Sequence, residues 1–410
     1  MPPVPRRQAA ALALAFVAVL TTATLACSDG ADAEAPAPTG PSGPVAPDAL
    51  DAGPAPTTDA SSVDSGAPRP DAEPSGVAPP GAVPGAIDAT DGPNAANLGV
   101  AEVVFRVETK PGEHAGFMLE FSPAGAAVVL AVDRWNGATP VRLGETDAGR
   151  GLRALAVVDQ GGPRTFWVRA RSATPVTATL KVTRTPFAEG AVCATDCARL
   201  LQLPLPNERA VDGYDTSEAV YRYQFGRRDL LMFIRDAGRR MRAAGRAPFM
   251  PEDLSQWNGE TPGEDVGAPR HASHQRGKDA DLSLYALDKT STWRSFCTAV
   301  QAADGRECRA GSVRDFDGDA NARFLGVFFA TNRVTMMFLD RELIAPTRAG
   351  AARAVADGAL DAKWLPLYSD GSHLQHWPNH DNHVHVRVSE AATTSGGVPI
   401  GVDLLPLEPP

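Results

Sequence analysis

The chain of 410 residues is long enough for two domains with sizeable cores, and its 49 acidic and 39 basic side chains give a formal net charge of −10. This balance, with no basic block along the sequence, argues against a nucleic-acid partner. The first hundred residues differ in composition from the rest and hold a large share of the 36 prolines. We therefore do not expect the whole chain to fold.

Residues 1–27 have the pattern of an export signal, in which Arg6 and Arg7 precede an apolar run too short to remain as a membrane helix. The run leads to Thr24-Leu25-Ala26-Cys27, which resembles the cleavage box of bacterial lipoproteins, although those usually carry Leu at the position of Thr24. We expect Cys27 to carry lipid and to anchor the protein to a membrane from the periplasm. An ordinary secretory signal is the alternative. Ser28, in place of an Asp, favours the outer membrane over the inner one.

Residues 28–98 are mostly Ala, Pro, Gly, Asp and Ser with almost no large apolar side chains, which predicts a disordered tether. From residue 99 to residue 188, short apolar runs are separated by turn residues; examples are 103–107, 127–132, 165–169 and 177–182. Repeated short strands of this kind predict an all-β sandwich. Its single histidine, His114, is expected to be solvated.

Residues 189–395 mix helical and strand patterns, which predicts an α+β domain with a small antiparallel sheet, and residues 396–410 form a tail. Apolar residues recur on one helix face in 227–246 and again in 319–331. Strand-like stretches occupy 281–286, 334–339 and 383–388. The acidic run 315–319 favours helix capping over a calcium loop, because the distant bidentate Glu is missing.

Four cysteines remain after Cys27, namely Cys193, Cys197, Cys297 and Cys308. An even number in an exported chain indicates disulfides, and three connectivities are possible. Proximity along the sequence favours the two pairs of near neighbours. A four-cysteine zinc site is the alternative, but neither pair has the two-residue spacing that such sites usually show.

Seven of the eight histidines lie between residues 271 and 385, mainly in two groups roughly a hundred residues apart. In a strand, His383, His385 and Arg387 would share one face while the valines between them enter the core. Asp281 likewise begins a strand whose leucines face the core, which leaves its carboxylate on the open side. Catalytic zinc sites typically use three protein ligands and leave the fourth position for water, so two histidines and one acid would supply the set.

Two motifs carry a resemblance to a known family. They read Ser273-His274-Gln275 with Gly277, Asp279 and Asp281, and His380-Asp381 with His383 and His385-Val386-Arg387. In order and spacing they resemble the penicillin-insensitive murein endopeptidases, which belong with the lysostaphin-type and D-Ala-D-Ala metallopeptidases. The resemblance covers roughly residues 205–390. It implies that His274, Asp281 and His385 bind zinc.

The resemblance also implies that His383 is the catalytic base or a donor in the transition state, and that His380 contacts the reacting water or the substrate. His271 matches an outer histidine of the family, and Arg387 is expected beside the ligands or the substrate. The chain departs from the family at Lys278, where an apolar residue is common, and in residues 286–315, which differ from the short family connection. These departures bear on substrate preference.

The remaining histidines of the region, His373 and His376, lie in a loop-like run and are expected at the surface or on the substrate side.

Together these features predict a zinc-dependent peptidoglycan hydrolase that cleaves peptide bonds in the cross-links between stem peptides. Zinc polarises a scissile carbonyl and acidifies water, and a neutral imidazole can move the proton. Two alternatives stay open. One is a D-Ala-D-Ala carboxypeptidase of the same group, and the other is a non-catalytic, zinc-stabilised lipoprotein that binds the cell wall.

Overall fold

The structure is a computed structural model that describes residues 83, 85–135, 139–148, 152–158, 164–187, 197–207, 209–216, 218–271, 273–301, 306–389, 394–395 and 398–399. The predicted export signal with Cys27, most of the predicted tether, Cys193 and most of the predicted tail lie outside these residues. Among the helices of the described ranges, none has the length and apolar character needed to cross a bilayer.

The described part of the chain between residues 87 and 186 contains nine strands in two sheets. Their bounds are β1 Ile87–Asp88, β2 Gly92–Leu98, β3 Val103–Thr109, β4 Glu113–Ser122, β5 Val128–Trp135, β6 Pro140–Glu145, β7 Arg153–Val158, β8 Arg164–Ser172 and β9 Val176–Pro186. One sheet has the order β1-β3-β8-β5-β6 and the other the order β2-β9-β4-β7. Buried residues of both sheets, such as Phe105 and Phe117, meet in one apolar cluster. The two sheets therefore pack face to face.

Alternation explains most of these strands. In β9 the apolar residues at every second position are buried while the threonines between them are more exposed, which is the period of a strand with one face in the core. Strand β2 begins at Gly92, inside the residues that composition assigned to the tether. Its inward positions include Asn94 and Ala96, which give no apolar signal, and its pairing with β9 along seven residues supplies the stabilisation instead.

The rest of the described chain adds four α-helices and further strands. Their bounds are β10 Leu200–Gln202, α1 Arg209–Asp212, β11 Phe225–Arg227, α2 Arg228–Ala243, β12 Asp279–Tyr285, β13 Ser291–Thr292, β14 Val300–Gln301, β15 Glu307–Cys308, α3 Gly318–Phe329, β16 Val334–Leu339, α4 Arg341–Ala356, β17 Leu374–His376, β18 His383–Val388, β19 Thr394–Ser395 and β20 Val398–Pro399. Short 3₁₀ helices occupy Glu218–Tyr223, Glu264–Val266 and Ala362–Tyr368. The described chain is thus a β-rich mixture of sheets and helices.

Five of these strands form a sheet of order β13-β12-β18-β16-β17. Neighbouring strands of this sheet run antiparallel except β16 and β17, which run parallel, so the predicted antiparallel sheet has one parallel pair at its edge. Leu282, Val384 and Val386 belong to a buried cluster that also contains residues of α2, α3 and α4. The helices therefore cover the apolar face of the sheet, and the opposite face carries the polar side chains of β12 and β18.

The predicted helices and cap are present, whereas α4 was not anticipated. Helix α2 begins one residue later than the periodic pattern, and Asp317 caps α3 by accepting a hydrogen bond from the amide of Ala320 at 2.9 Å. Helix α4 contains Pro346 and packs against α3 where Gly350 closely approaches Gly318. Glycine and proline weaken a helical pattern in the sequence. Here, however, the lack of a side chain on Gly350 allows α4 to approach α3.

The described cysteines are in disulfides. Cys297 and Cys308 form a disulfide with Cα atoms 5.3 Å apart, and Cys197 is also disulfide-bonded. The first pairing is as proximity predicted and excludes its two sulfurs from a zinc site.

His114 is 2% exposed, and its Nε2 donates to the carbonyl of Gln202 at 2.9 Å. The expectation of a solvated histidine was wrong, because β4 is covered by β10 at this point.

Candidate metal centre

Two neighbouring strands place the predicted acid and histidines on one face of the sheet. The register of β12 and β18 pairs Asp281 directly with His385, and Ser283 with His383. The valines between the histidines are at most 1% exposed and enter the core, as alternation predicted. Strand β12 begins at Asp279 and not at Asp281. Asp279 therefore joins the same face, opposite Arg387.

The third predicted ligand, His274, comes from a tight loop before β12. Its φ of 69° lies in the left-handed region, as does that of Arg276 at 58°, and such conformations cost roughly 1–3 kcal/mol each in non-glycine residues. Surrounding contacts hold the loop in place. The amide of Arg276 donates to the carbonyl of Gly259 at 2.7 Å, and the Thr261 hydroxyl donates to the carbonyl of Ser273 at 3.0 Å. Strain held in this way directs the His274 ring towards β12 and β18.

Three ligand atoms converge at nearly equal distances. Nε2 of His274 lies 3.1 Å from Nδ1 of His385 and 3.2 Å from Oδ1 of Asp281, and the last two atoms are 3.1 Å apart. All three residues are at most 3% exposed. The predicted zinc ligands, of which His385 lies more than a hundred residues from the other two along the chain, are therefore brought together in one buried triangle.

Hydrogen bonds on the far side of each ring determine which nitrogen carries a proton. Nδ1 of His274 donates to the carbonyl oxygen of Leu254 at 3.0 Å, and Nε2 of His385 donates to Oδ1 of Asp279 at 2.9 Å. A neutral imidazole has one N–H, so the two nitrogens inside the triangle are left as lone pairs. Asp281 adds a carboxylate oxygen. Three acceptors facing one another require a positive species between them.

The geometry of the triangle fits zinc. Zn²⁺ binds nitrogen and oxygen ligands at about 2.0–2.2 Å, and in a tetrahedral arrangement such atoms are about 3.3–3.6 Å apart. The observed separations are slightly smaller, so a modest outward movement of the side chains would accommodate the ion. Two imidazoles and a carboxylate leave the fourth tetrahedral position without a protein ligand, which is the pattern of catalytic rather than structural sites.

Burial and hydrogen bonds determine the protonation of His385 and Asp281. Burial opposes a charge on His385, but its hydrogen bonds to Asp279 and Asp281 outweigh burial and raise the pKa of His385 to about 9. Burial would raise the pKa of Asp281, yet the surrounding histidines hold that pKa well below its usual range. When no cation is present, a proton on His385 can take its place, and metal binding must release that proton.

The outer ring of the centre contains Asp279, Arg387 and His271. Asp279 is fully buried and accepts from Arg387 Nε at 2.6 Å and Nη2 at 3.2 Å, so Arg387 supports His385 through Asp279. His271 Nε2 lies 2.8 Å from Oδ2 of Asp253 and 3.7 Å from Oδ2 of Asp281. Its ring packs on that of His274, with centroids 4.1 Å apart. His271 therefore lies beside His274 and Asp281, whereas Arg387 reaches His385 only through Asp279.

The two predicted catalytic histidines face the same triangle. Nε2 of His383 is 3.8 Å from Oδ1 of Asp281, and the rings of His380 and His383 have centroids 4.6 Å apart. Burial lowers the pKa of His383, and burial together with the neighbouring His383 lowers the pKa of His380 to about 3. Both imidazoles are therefore neutral at pH 7.

Aromatic side chains border this face. Trp293 lies against His383 with ring centroids 5.4 Å apart, and Phe338 lies against His385 at 5.3 Å. Trp377 is 55% exposed and stacks on Phe338 at 5.2 Å. An exposed aromatic surface beside a polar centre is suited to a ligand with apolar or ring-shaped parts.

His373 and His376 are not part of the cluster. His373 is hydrogen-bonded to Asp370, and His376 Nε2 lies 3.1 Å from Oε1 of Glu307. This agrees with the interpretation of both as non-ligands.

Several residues of the centre were not identified from the sequence. Asp253 and Leu254 lie beside the ligands because the chain before the His271 motif runs along β12. There the amide of Asp281 donates to the carbonyl of Asp253 at 3.1 Å. Nothing in the composition of that segment indicates the contact. Asp279 stood in the motif without a role, and its position two residues before Asp281 on a strand could have placed it on the same face.

Comparisons with known proteins add little to this geometry. No family model matches the chain, and no curated protein matches it. Among solved structures, one that resembles part of the chain is the Aeromonas hydrophila PliG, a periplasmic lysozyme inhibitor of g-type lysozyme. The likeness covers 24% of this chain and 96% of that one at 10% sequence identity, with a TM-score of 0.19. At that score the likeness carries no argument about fold or function.

Proposed function

We propose that this protein is a zinc-dependent peptidoglycan hydrolase that cleaves peptide bonds in the cross-links between stem peptides. One observation carries the proposal: Nε2 of His274, Nδ1 of His385 and Oδ1 of Asp281 converge within 3.2 Å, while the other nitrogen of each ring is hydrogen-bonded outside the triangle. The substrate class rests on the resemblance of the two motifs to murein endopeptidases.

Zinc, when bound by these three residues, polarises the scissile carbonyl and makes a nearby water more acidic. His383 acts as the base at its Nε2, which is free because Nδ1 is hydrogen-bonded to the side chain of Asn382. The lowered pKa keeps this nitrogen unprotonated at neutral pH, so it can accept a proton and return it to the leaving amine. His380 is held by a hydrogen bond from its Nδ1 to the carbonyl of Pro378 at 2.7 Å. Its other nitrogen is available to the substrate.

The remaining parts of the proposal concern the whole chain. We place the zinc metallopeptidase domain after a β-sandwich accessory domain, and we assign Cys27 to a lipid anchor. In this proposal the segment between the anchor and the sandwich gives the hydrolase its reach towards peptidoglycan from the periplasmic side of a membrane. Labelling with a palmitate analogue, in the wild type and in Cys27→Ala, tests the anchor directly.

The decisive experiment combines metal analysis with product analysis. The purified protein should contain one zinc per chain by mass spectrometry of the element, and it should release muropeptides from peptidoglycan in a chelator-sensitive way. His274→Ala and Asp281→Ala should lose zinc and activity, whereas His383→Ala should keep zinc and lose activity. His373→Ala, a histidine outside the cluster, is the matched control and should keep both.

Three other outcomes would change the assignment. Full hydrolysis by metal-free protein would refute a zinc-dependent mechanism. Cleavage of monomeric stem peptides but not of purified cross-linked dimers would make the protein a carboxypeptidase. Stoichiometric zinc with no turnover on either substrate would leave a zinc-stabilised module that binds the cell wall.

A further inference from the structure

Asn382 connects the proposed base to a loop on the opposite side. Its Oδ1 lies 2.7 Å from Nδ1 of His383, and its Nδ2 donates to the carbonyl oxygen of Trp293 at 2.9 Å. No sequence motif marked this asparagine, which stands between Asp381 and the histidine strand β18.

The two contacts together determine the orientation of the amide. The carbonyl of Trp293 can only accept, so the NH₂ group of Asn382 must face it and the amide oxygen must face His383. That oxygen can only accept as well, so Nδ1 of His383 must carry the proton. A flipped amide would place two acceptors together at Trp293. The tautomer of His383 is therefore set by a backbone carbonyl two hydrogen bonds away.

The loop that supplies this carbonyl is attached to the segment before β18 from both sides. On one side, the amide of Phe296 donates to the carbonyl of Asp381 at 2.9 Å, and Ser295 is hydrogen-bonded to the Asp381 carboxylate. On the other side, Nε of Arg306 donates to the same carboxylate at 2.8 Å.

A covalent link and a stacking contact complete this attachment. The amide of Asn379 donates to the carbonyl of Arg306 at 2.8 Å. The disulfide between Cys297 and Cys308 joins the two sides of the loop, and the Trp293 ring lies against His383. Apart from this ring contact, the position of the Trp293 carbonyl is determined by contacts that do not involve His383.

We propose that Asn382 is a positioning residue that keeps the proton of His383 on Nδ1 and its Nε2 lone pair directed at the metal centre, and that the loop of Trp293 holds Asn382 in this orientation. The catalytic meaning of this role rests on the proposed function, whereas the tautomer of His383 does not. Trp293 lies within residues 286–315, where the sequence departs from the family whose motifs it resembles.

Two substitutions separate the hydrogen bond to His383 from that to Trp293. Asn382→Leu has a similar shape and offers neither bond. Asn382→Asp keeps an oxygen acceptor for Nδ1 and gives up the donor to the Trp293 carbonyl. Asn97→Leu is the matched control, because Asn97 is exposed on β2. Zinc content should be the same in all four proteins.

The first measurement needs no activity. In zinc-loaded, ¹⁵N-histidine-labelled protein, long-range ¹H–¹⁵N spectra should show His383 with a protonated Nδ1 in the wild type, in Asn97→Leu and in Asn382→Asp. Asn382→Leu should shift the population towards the Nε2–H form. An unchanged tautomer in Asn382→Leu would overturn the inference whether or not the protein hydrolyses peptidoglycan.

The second measurement is hydrolysis. Asn382→Leu should lower kcat by about 10- to 100-fold, the usual effect of removing an outer hydrogen-bond partner, with KM unchanged, and Asn382→Asp should recover part of the loss. Equal kcat in Asn382→Leu and the wild type, or equally low kcat in both variants, would overturn the positioning role. A wild type that hydrolyses nothing would refute the proposed function instead, and the spectra would still decide the inference.

Discussion

Replacing Asp279 by Asn should weaken zinc binding although Asp279 is not one of the three proposed ligands. Its Oδ1 accepts from both His385 Nε2 and Arg387 Nε, while Oδ2 accepts from Arg387 Nη2. An amide of the same shape must turn its NH₂ towards one of these donors, so one bond becomes a donor–donor contact. The substitution also removes the negative charge that neutralises Arg387.

The size of this effect follows from the role of Asp279 in fixing the His385 ring. Outer partners of ligating histidines typically contribute about 10- to 100-fold in metal affinity, which is about 1.4 to 2.7 kcal/mol. We expect the upper half of this range because Asp279 is fully buried and its negative charge makes the His385 ring a stronger ligand. Competition with a chromophoric chelator at pH 7.5 measures the zinc Kd.

Asp370→Asn is the control, since Asp370 is also hydrogen-bonded to a histidine, His373, outside the cluster. An Asp279→Asn protein that binds zinc as tightly as the wild type would refute the role of Asp279 in fixing the His385 ring. The same holds if the control loses as much affinity.

Three further substitutions test the stability of the fold, one in the β-sandwich and two near the centre. Burial and nearby arginines hold the pKa of His114 at about 4, whereas the unfolded chain takes up the proton below about pH 6.5. The free energy of unfolding should therefore fall by about 2 kcal/mol more in the wild type than in His114→Gln between pH 7 and pH 5, measured with denaturant. Replacing Cys297 and Cys308 by Ala should cost about 3 kcal/mol in the same assay, since the disulfide closes a loop of separation 11; no loss would contradict this. Gly277→Ala should cost about 1–3 kcal/mol and weaken zinc binding, because its φ is 63° and a Cβ would lie 2.8 Å from a backbone nitrogen of β11. Gly267→Ala, with a similar φ and open space around it, separates backbone strain from this contact.

Sequence periodicity was sufficient to predict a strand or helix where one face of the element is buried and the other is not. Strands β16 and β18 were predicted with their observed bounds, and the three predicted ligands lie together, because alternation in β18 separates valines from histidines. It was insufficient for β2 and α4. The inward side chains of β2 are small or polar, and Gly350 lies where α4 meets α3, so tertiary contacts stabilise elements that their own residues do not mark.

The outer contacts of the centre were beyond prediction for a different reason. Leu254 contributes a backbone carbonyl, which any residue type would supply, and Trp293 does the same for Asn382. Such contacts depend on where the chain passes and not on which side chain it carries there. Motif spacing can therefore identify metal ligands, whereas the groups that fix their protons are found only once the strands and loops are in place.

The balance of charge in the centre links metal binding to stability. Asp279 is compensated by Arg387, but Asp281 is buried and faces two imidazole lone pairs. A proton on His385 relieves only part of this repulsion, whereas a divalent cation contacts all three atoms at once. The arrangement that favours zinc therefore makes the metal-free fold less stable. Free zinc at a thousand times its Kd would add about 4 kcal/mol to the free energy of unfolding, so chelation should lower the denaturation midpoint of the wild type and leave that of Asp281→Ala unchanged.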